Sequence, residues 1–196
     1  MNRLISKAAL AVSLTVMTSS VLAESQTFQA GVTVQNAFVL TKDDDLDFGI
    51  IRATADLAGS ALATLVLSAN PATSPSTTTT DATLAEIAVL TAGTPASFTI
   101  SGVSPFATLT ITDPTETDIS PDAAPSGTAG FTLSAPTYYV LTGATPNSAA
   151  TTTIQVDSTG EATFNVGATL TTSAIATTAD YIDGTYSGTF TLQLDY

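Results

Sequence analysis

Gly184-Thr185-Tyr186-Ser187-Gly188-Thr189-Phe190-Thr191-Leu192-Gln193-Leu194-Asp195-Tyr196 closes the chain, and its reading decides the fold class. Tyr186, Gly188, Phe190, Leu192, Leu194 and Tyr196 fall on one face, and Thr185, Ser187, Thr189, Thr191, Gln193 and Asp195 on the other. Strict alternation over this length predicts a half-buried β-strand, because successive side chains of a strand point to opposite faces. A strand this long with a free edge invites pairing with another chain.

The same alternation of apolar residues with Thr or Ser recurs upstream, punctuated by Gly, Pro, Asn and Asp. It predicts strands over Phe28–Leu40, Asp45–Ile51, Ala61–Leu67, Leu84–Leu90, Ala96–Ile100 and Ala107–Ile111. Further strands are predicted over Gly130–Leu133, Tyr138–Leu141, Thr152–Val156, Ala162–Leu170 and Gly184–Tyr196. Helix is not expected: the chain is rich in Thr and poor in Lys, Arg and Glu, and Asp81–Val89, the nearest approach to a helical period, fits a strand equally well. Asn70–Thr80 and Thr112–Gly130 read as loops within one domain, because strands of the same character flank both.

The chain lacks Cys, His and Trp. That removes Ser-His-Asp triads, cysteine nucleophiles, and His- or Cys-ligated metal and haem sites. What remains is carboxylate: 17 acidic residues against 4 Lys and Arg, a formal charge of -13. Nucleic acid and anionic membrane surfaces would repel such a chain, and neither is expected as a partner. Asp43, Asp45 and Asp47 would share one face if extended and could offer oxygen ligands to calcium, but the glycine and terminal glutamate of an EF-hand loop are missing. A solvated strand entrance is the favoured reading, as it is for Asp113, Glu116, Asp118 and Asp122 in the Pro-rich loop. Glycosidase chemistry needs two carboxyl groups about 5 to 9.5 Å apart in a sugar cleft. Tyr138 and Tyr139 are the only adjacent aromatic pair that could serve as a platform, so no enzyme activity, cofactor or metal is expected.

Residues 1–23 carry a short basic start, an apolar run from Ala8 to Met17 and Val21-Leu22-Ala23 before Glu24, the pattern of a cleaved secretory signal. The run is too short for a stable anchor across roughly 30 Å of hydrocarbon. Secretion through the inner membrane is therefore expected, without membrane insertion. Removal would take Arg3 and Lys7 with it, leaving Lys42 and Arg52 as the only cations. Residues 24–40 read as an N-terminal extension and 41–196 as the β domain. In the extension Phe28, Ala30, Val32 and Val34 alternate with Gln29, Gly31, Thr33 and Gln35. Such a segment has the form of a donor strand, which completes another subunit's sheet. Pairing in cis, as the first strand of its own sandwich, is equally compatible with the pattern.

Leu46-Asp47-Phe48-Gly49-Ile50, Phe98-Thr99-Ile100-Ser101-Gly102, Gly160-Glu161-Ala162-Thr163-Phe164-Asn165-Val166-Gly167-Ala168-Thr169-Leu170 and the terminal strand together resemble an uncharacterised bacterial family, domain of unknown function 4402. More distantly they are similar to spore coat protein U and the chaperone–usher pilins. The interval from Gly184 to Tyr196 resembles the glycine-to-aromatic spacing of the pilin C-terminal strand, with the aromatic last instead of penultimate. The chain departs from those families in lacking a disulfide and in carrying Gly167-Ala168 where a glycine pair is usual.

The resemblance implies an immunoglobulin-like antiparallel β-sandwich, exported to the periplasm and then to the cell surface. It also implies capture by a periplasmic chaperone and an outer-membrane usher, and polymerisation with copies of itself by donor-strand exchange. The function expected is that of a structural subunit of a filament (pilus or fimbria-like) or surface coat, with a stand-alone secreted adhesin or ligand-binding sandwich as the alternative. On this reading Phe28, Ala30, Val32 and Val34 insert into a neighbour's groove lined by Phe164, Val166, Phe190, Leu192, Leu194 and Tyr196.

Overall fold

A computed structural model describes residues 24–32, 37–173 and 178–196. The chain divides into two units, Met1–Val34 and Gln35–Tyr196. In the first, residues 24–32 form no strand and are exposed along their length, Phe28 at 90% and Val32 at 87%. The strand expected over Phe28–Leu40 therefore starts only at Val39; Val34 and the segment 1–23 lie outside the described residues.

The second unit is an all-β antiparallel sandwich, and its described residues contain no helix. Its spine is β12 (Ala162–Thr172), which pairs with β6 (Ala96–Ser101) on one edge over its first half and with β3 (Ala63–Leu67) on that edge over its second. Its other edge pairs throughout with β9 (Phe131–Thr142). β1 (Val39–Asp44) extends this layer beyond β6, β4 (Ser76–Thr79) beyond β3, and β8 (Thr117–Pro121) and β10 (Ser148–Ala150) beyond β9.

The second layer comes in two pieces. β11 (Thr153–Gln155), β7 (Thr108–Thr112) and β14 (Gln193–Asp195) form one, and β2 (Asp47–Thr54) with β5 (Glu86–Thr94) the other. Each piece covers its own core cluster. Leu109, Ile111, Ile154 and Leu194 pack with Ile100, Tyr138, Val140, Phe164 and Val166. Phe48, Ile51 and Ile87 pack with Leu65, Phe131, Leu133, Ala168 and Leu170. Burying each of these larger side chains contributes about 1.5–3 kcal/mol, which lets a chain without disulfides hold two sheets together.

Three strands depart from the loops expected from sequence. β4 forms within the Thr-rich stretch, where the Thr64 and Thr78 hydroxyls bond at 2.6 Å, and β8 forms within the Pro-rich one. β4 lies at a sheet edge, where exposure removes the need for apolar alternation, whereas β8 lies between β9 and the two-residue strand Tyr186–Ser187, with Pro121 at its last position. β10, Ser148–Ala150, was not anticipated at all. Conversely, the strands expected at Gly130–Leu133 and Tyr138–Leu141 are one strand, β9, carried through a bulge at Ala135 (φ 47°) and Pro136. Pro136 sits in that bulge, where its missing N–H costs no ladder bond.

Gly167 faces this bulge from β12. A Cβ there would lie 2.2 Å from the Leu67 carbonyl oxygen and 2.4 Å from the Ala69 nitrogen, both backbone atoms. Only glycine lets β3 approach so closely. Gly167→Ala should therefore lower stability by about 1–3 kcal/mol, the usual cost of overpacking, read as a lower urea midpoint at unchanged slope.

Candidate functional site: an open groove between two strand edges

Between the two pieces of the second layer runs a groove of about 880 Å³. Its floor is the large sheet, through Phe98, Phe131, Leu133, Val166 and Leu170. Along one wall every residue from Asp47 to Ala53 borders it, and along the other every residue from Tyr181 to Gly188, followed by Phe190 and Leu192. Residues of both parities line each wall, as expected where a strand's backbone edge borders a groove.

Among the described residues neither edge has a strand partner on the groove side: β2 pairs with β5, and the final segment pairs at β13 (Tyr186–Ser187, with β8) and β14 (with β7). The continuous strand expected over Gly184–Tyr196 is thus broken into two short pairings. Its face assignment still holds: Tyr186, Phe190 and Leu192 are half-buried and Leu194 is buried, while Ser187, Thr189, Thr191 and Gln193 are exposed. Alternation follows from the core beneath, whereas continuous pairing needs a neighbour that the groove leaves out.

The two walls run in opposite directions. At one end the Ala55 N–H donates to Asp180 Oδ1 at 2.8 Å, linking the end of β2 to the start of the final segment. At the other end Leu46 and Leu192 face each other across the groove, with Phe98 beneath. Gly49 (φ 79°) lets β2 lie close against β5, since a Cβ there would strike the Thr91 carbonyl oxygen at 2.2 Å; the register shifts between Ile50 and Ile51, where Leu90 is the extra residue of β5.

Three rings make the closed end rigid. Phe131 stacks on Tyr181 at 4.3 Å between centroids and meets Tyr186 edge-on at 5.4 Å. The Tyr181 hydroxyl donates to the Gly130 carbonyl at 2.6 Å and accepts from the Ser173 N–H at 3.1 Å. Burial, against the opposing pull of the Ser173 bonds, pushes its pKa up to about 12. Charge is confined to the rim: Lys42 pairs with Asp45, and Arg52 with Glu86 at 3.0 Å. The floor is apolar, which suits an uncharged, extended occupant.

Of the six residues expected to line the groove, Val166, Phe190 and Leu192 do so. Phe164 and Leu194 are instead closed into the neighbouring core, Phe164 fully buried and stacked on Phe98 at 5.4 Å. Tyr196 stands at the far pole, its ring against Phe38 and its hydroxyl accepting from the Ser104 N–H at 3.0 Å. Sequence reading missed the β2 wall and the Tyr181–Phe131 end. Phe48 and Ile51 pack against one core although they are three residues apart, which strict alternation would not predict, and nothing local marks which strand edge lacks a partner.

The aspartates near β1 each have local partners. Asp43 and Asp44 accept from the Thr99 and Ser97 hydroxyls of β6, both at 2.7 Å, and Asp47 accepts from the Gly49 N–H at 2.7 Å. They hold β1 on the sheet and shape β2. Asp113, Asp118 and Asp122 accept from Tyr138, Thr132 and Ser187 respectively. Among the described residues no group of three or more carboxylates converges as metal ligands would.

Fold and groove define a class: an all-β antiparallel sandwich with an open, apolar-floored groove beside β2 and the C-terminal segment. The chain belongs to the family described as domain of unknown function (DUF4402), which it matches over residues 38–196. No curated protein and no solved structure matches it.

Because the Tyr181 phenol holds its proton to about pH 12 in the fold against 10.0 ordinarily, the unfolded chain deprotonates first. The stabilisation linked to this group is complete below about pH 10 and is lost as pH rises towards about 12. Melting temperatures measured from pH 8 to 11 should fall at the alkaline end, and Tyr181→Phe should flatten part of that fall, leaving the share due to buried Tyr138.

Proposed function

We propose that this protein is a structural subunit of an extracellular filament or surface coat, and that its groove is filled by donor-strand complementation. The observation that carries this reading is a groove walled by two unpaired strand edges over an apolar floor, in a chain that also holds an exposed, alternating apolar segment at Phe28, Ala30 and Val32. Groove and segment have complementary needs. The edges require backbone partners, and the segment has backbone and apolar side chains to give.

Chain length favours a donor from another copy. The groove begins at Lys42, Asp45 and Leu46, beyond most of β1, whereas the extension joins the sandwich at Phe38. Even the tightest hairpin at residues 36–37 would bring Val34 opposite Val39 and Val32 opposite Thr41, short of the groove. A donor from another copy is free of that constraint and can present all four apolar residues, which favours the trans arrangement. An open groove during export would also need covering, which supports a periplasmic chaperone as a transient partner. The signal-like residues 1–23 support export.

A groove of about 880 Å³ also falls among pockets that take small ligands, and this supports a stand-alone ligand-binding sandwich as the second reading. Unpaired backbone on both walls favours the strand.

Val32→Asp should weaken assembly at least about thirtyfold, because it forfeits about 2 kcal/mol of apolar burial and forces a carboxylate against the groove floor. Thr33→Asp, on the outward face, should change it little. Sedimentation velocity of the exported protein would separate the two, and equal effects, or a monomer whose groove binds a small molecule in preference to a Thr27–Gln35 peptide, would overturn the filament reading.

A further inference from the structure

The pole of the sandwich at which the chain enters β1 displays an unusual group of apolar side chains. Val39, Phe106 and Tyr196 are 58%, 57% and 45% exposed. They are held near one another by the backbone around them: Tyr196 packs on Phe38, its hydroxyl accepts from the Ser104 N–H, and Val39 pairs with Ser101 at the start of the turn that carries Phe106.

Phe106 is the most informative of the three. It holds φ at 59°, a left-handed conformation that bulky side chains rarely adopt. Its N–H donates to the Asp157 carbonyl at 3.0 Å and its carbonyl accepts from Gln155 Nε2 at 2.9 Å, so both ends of the residue are fixed. The ring is thereby held outward in a disfavoured conformation with more than half its surface in water. Strain kept at a surface position, with no core contact to offset it, points to a partner.

We propose that this pole docks against the next copy of the chain, forming a second contact beside the strand-filled groove. The inference rests on the donor-strand reading and follows from its geometry. Only residues 35–37 separate Val34 from Phe38, so four Cα steps, at most about 14 Å, join the inserted strand to the body of the donor. A domain of this size has a radius of gyration of about 15 Å. The linker is too short to hold the two sandwiches apart, and the surface brought against the acceptor is the one around Phe38. A second copy of this chain is therefore the occupant, and the contact turns a tethered string of domains into a stiff one.

Phe106→Asn tests this without disturbing the turn, since asparagine tolerates the left-handed conformation. Val39→Thr, which keeps a β-branched residue in β1, is the second variant. Each would be compared with the parent chain for polymerisation, by sedimentation and negative-stain microscopy, and for binding of a labelled Thr27–Gln35 peptide. The expected result is unchanged peptide affinity with at least tenfold weaker assembly, or polymers that have become visibly flexible. Assembly and stiffness equal to the parent in both variants, with the peptide still bound, would overturn the docking contact and leave the donor-strand reading in place. Failure of the parent chain to bind the peptide or to assemble would overturn both.

Discussion

Backbone amides and carbonyls must find partners, and the fold turns on where this chain leaves that requirement unmet. Along the groove side of β2 and of the segment Tyr181–Leu192, two backbone edges border the groove with no strand of the described residues between them. Everything around the gap is closed. The large sheet is continuous beneath it, and the hydrogen bond from Ala55 to Asp180 and the Phe131–Tyr181 stack seal one end. The opening lies between two filled core clusters, and the proposed donor strand would fill it.

Energetics and function meet at the same place. A sheet edge over an apolar floor is an aggregation hazard in a monomer and a binding site in an assembly. The rim limits the hazard in part: Lys42, Asp45, Arg52 and Glu86 ring the apolar floor with paired charge. Because the chain has no Cys, no covalent staple can hold such a fold while it waits for its partner. Two well-filled core clusters on either side of the gap do so instead.

Much of this was legible in the residues. Alternation located most strands, and the face assignment of the final segment survives in the burial of Leu194 against the exposure of Gln193. The misses have a common cause. β4, β8 and β10 are short and two of them flank sheets at solvent-facing edges, where pairing comes from backbone atoms that every residue shares. A hydrophobic pattern does not register such pairing. The same limit bears on Phe164, Leu194 and Tyr196, which lie outside this groove: parity says that a side chain points inward, not which of two core compartments receives it.

Sequence by itself determined the class of structure, the faces of the strands and the exclusion of His- and Cys-based chemistry, because side-chain period and composition are local properties. Which strands became neighbours was decided only by the tertiary structure. Glycine at 167 admits β3 beside β12, Gly49 lets β2 lie close against Thr91 of β5, and Tyr181 folds back onto Gly130 at the end of the groove. Each joins residues far apart in the chain, and their joint geometry shapes the groove between β2 and the C-terminal segment.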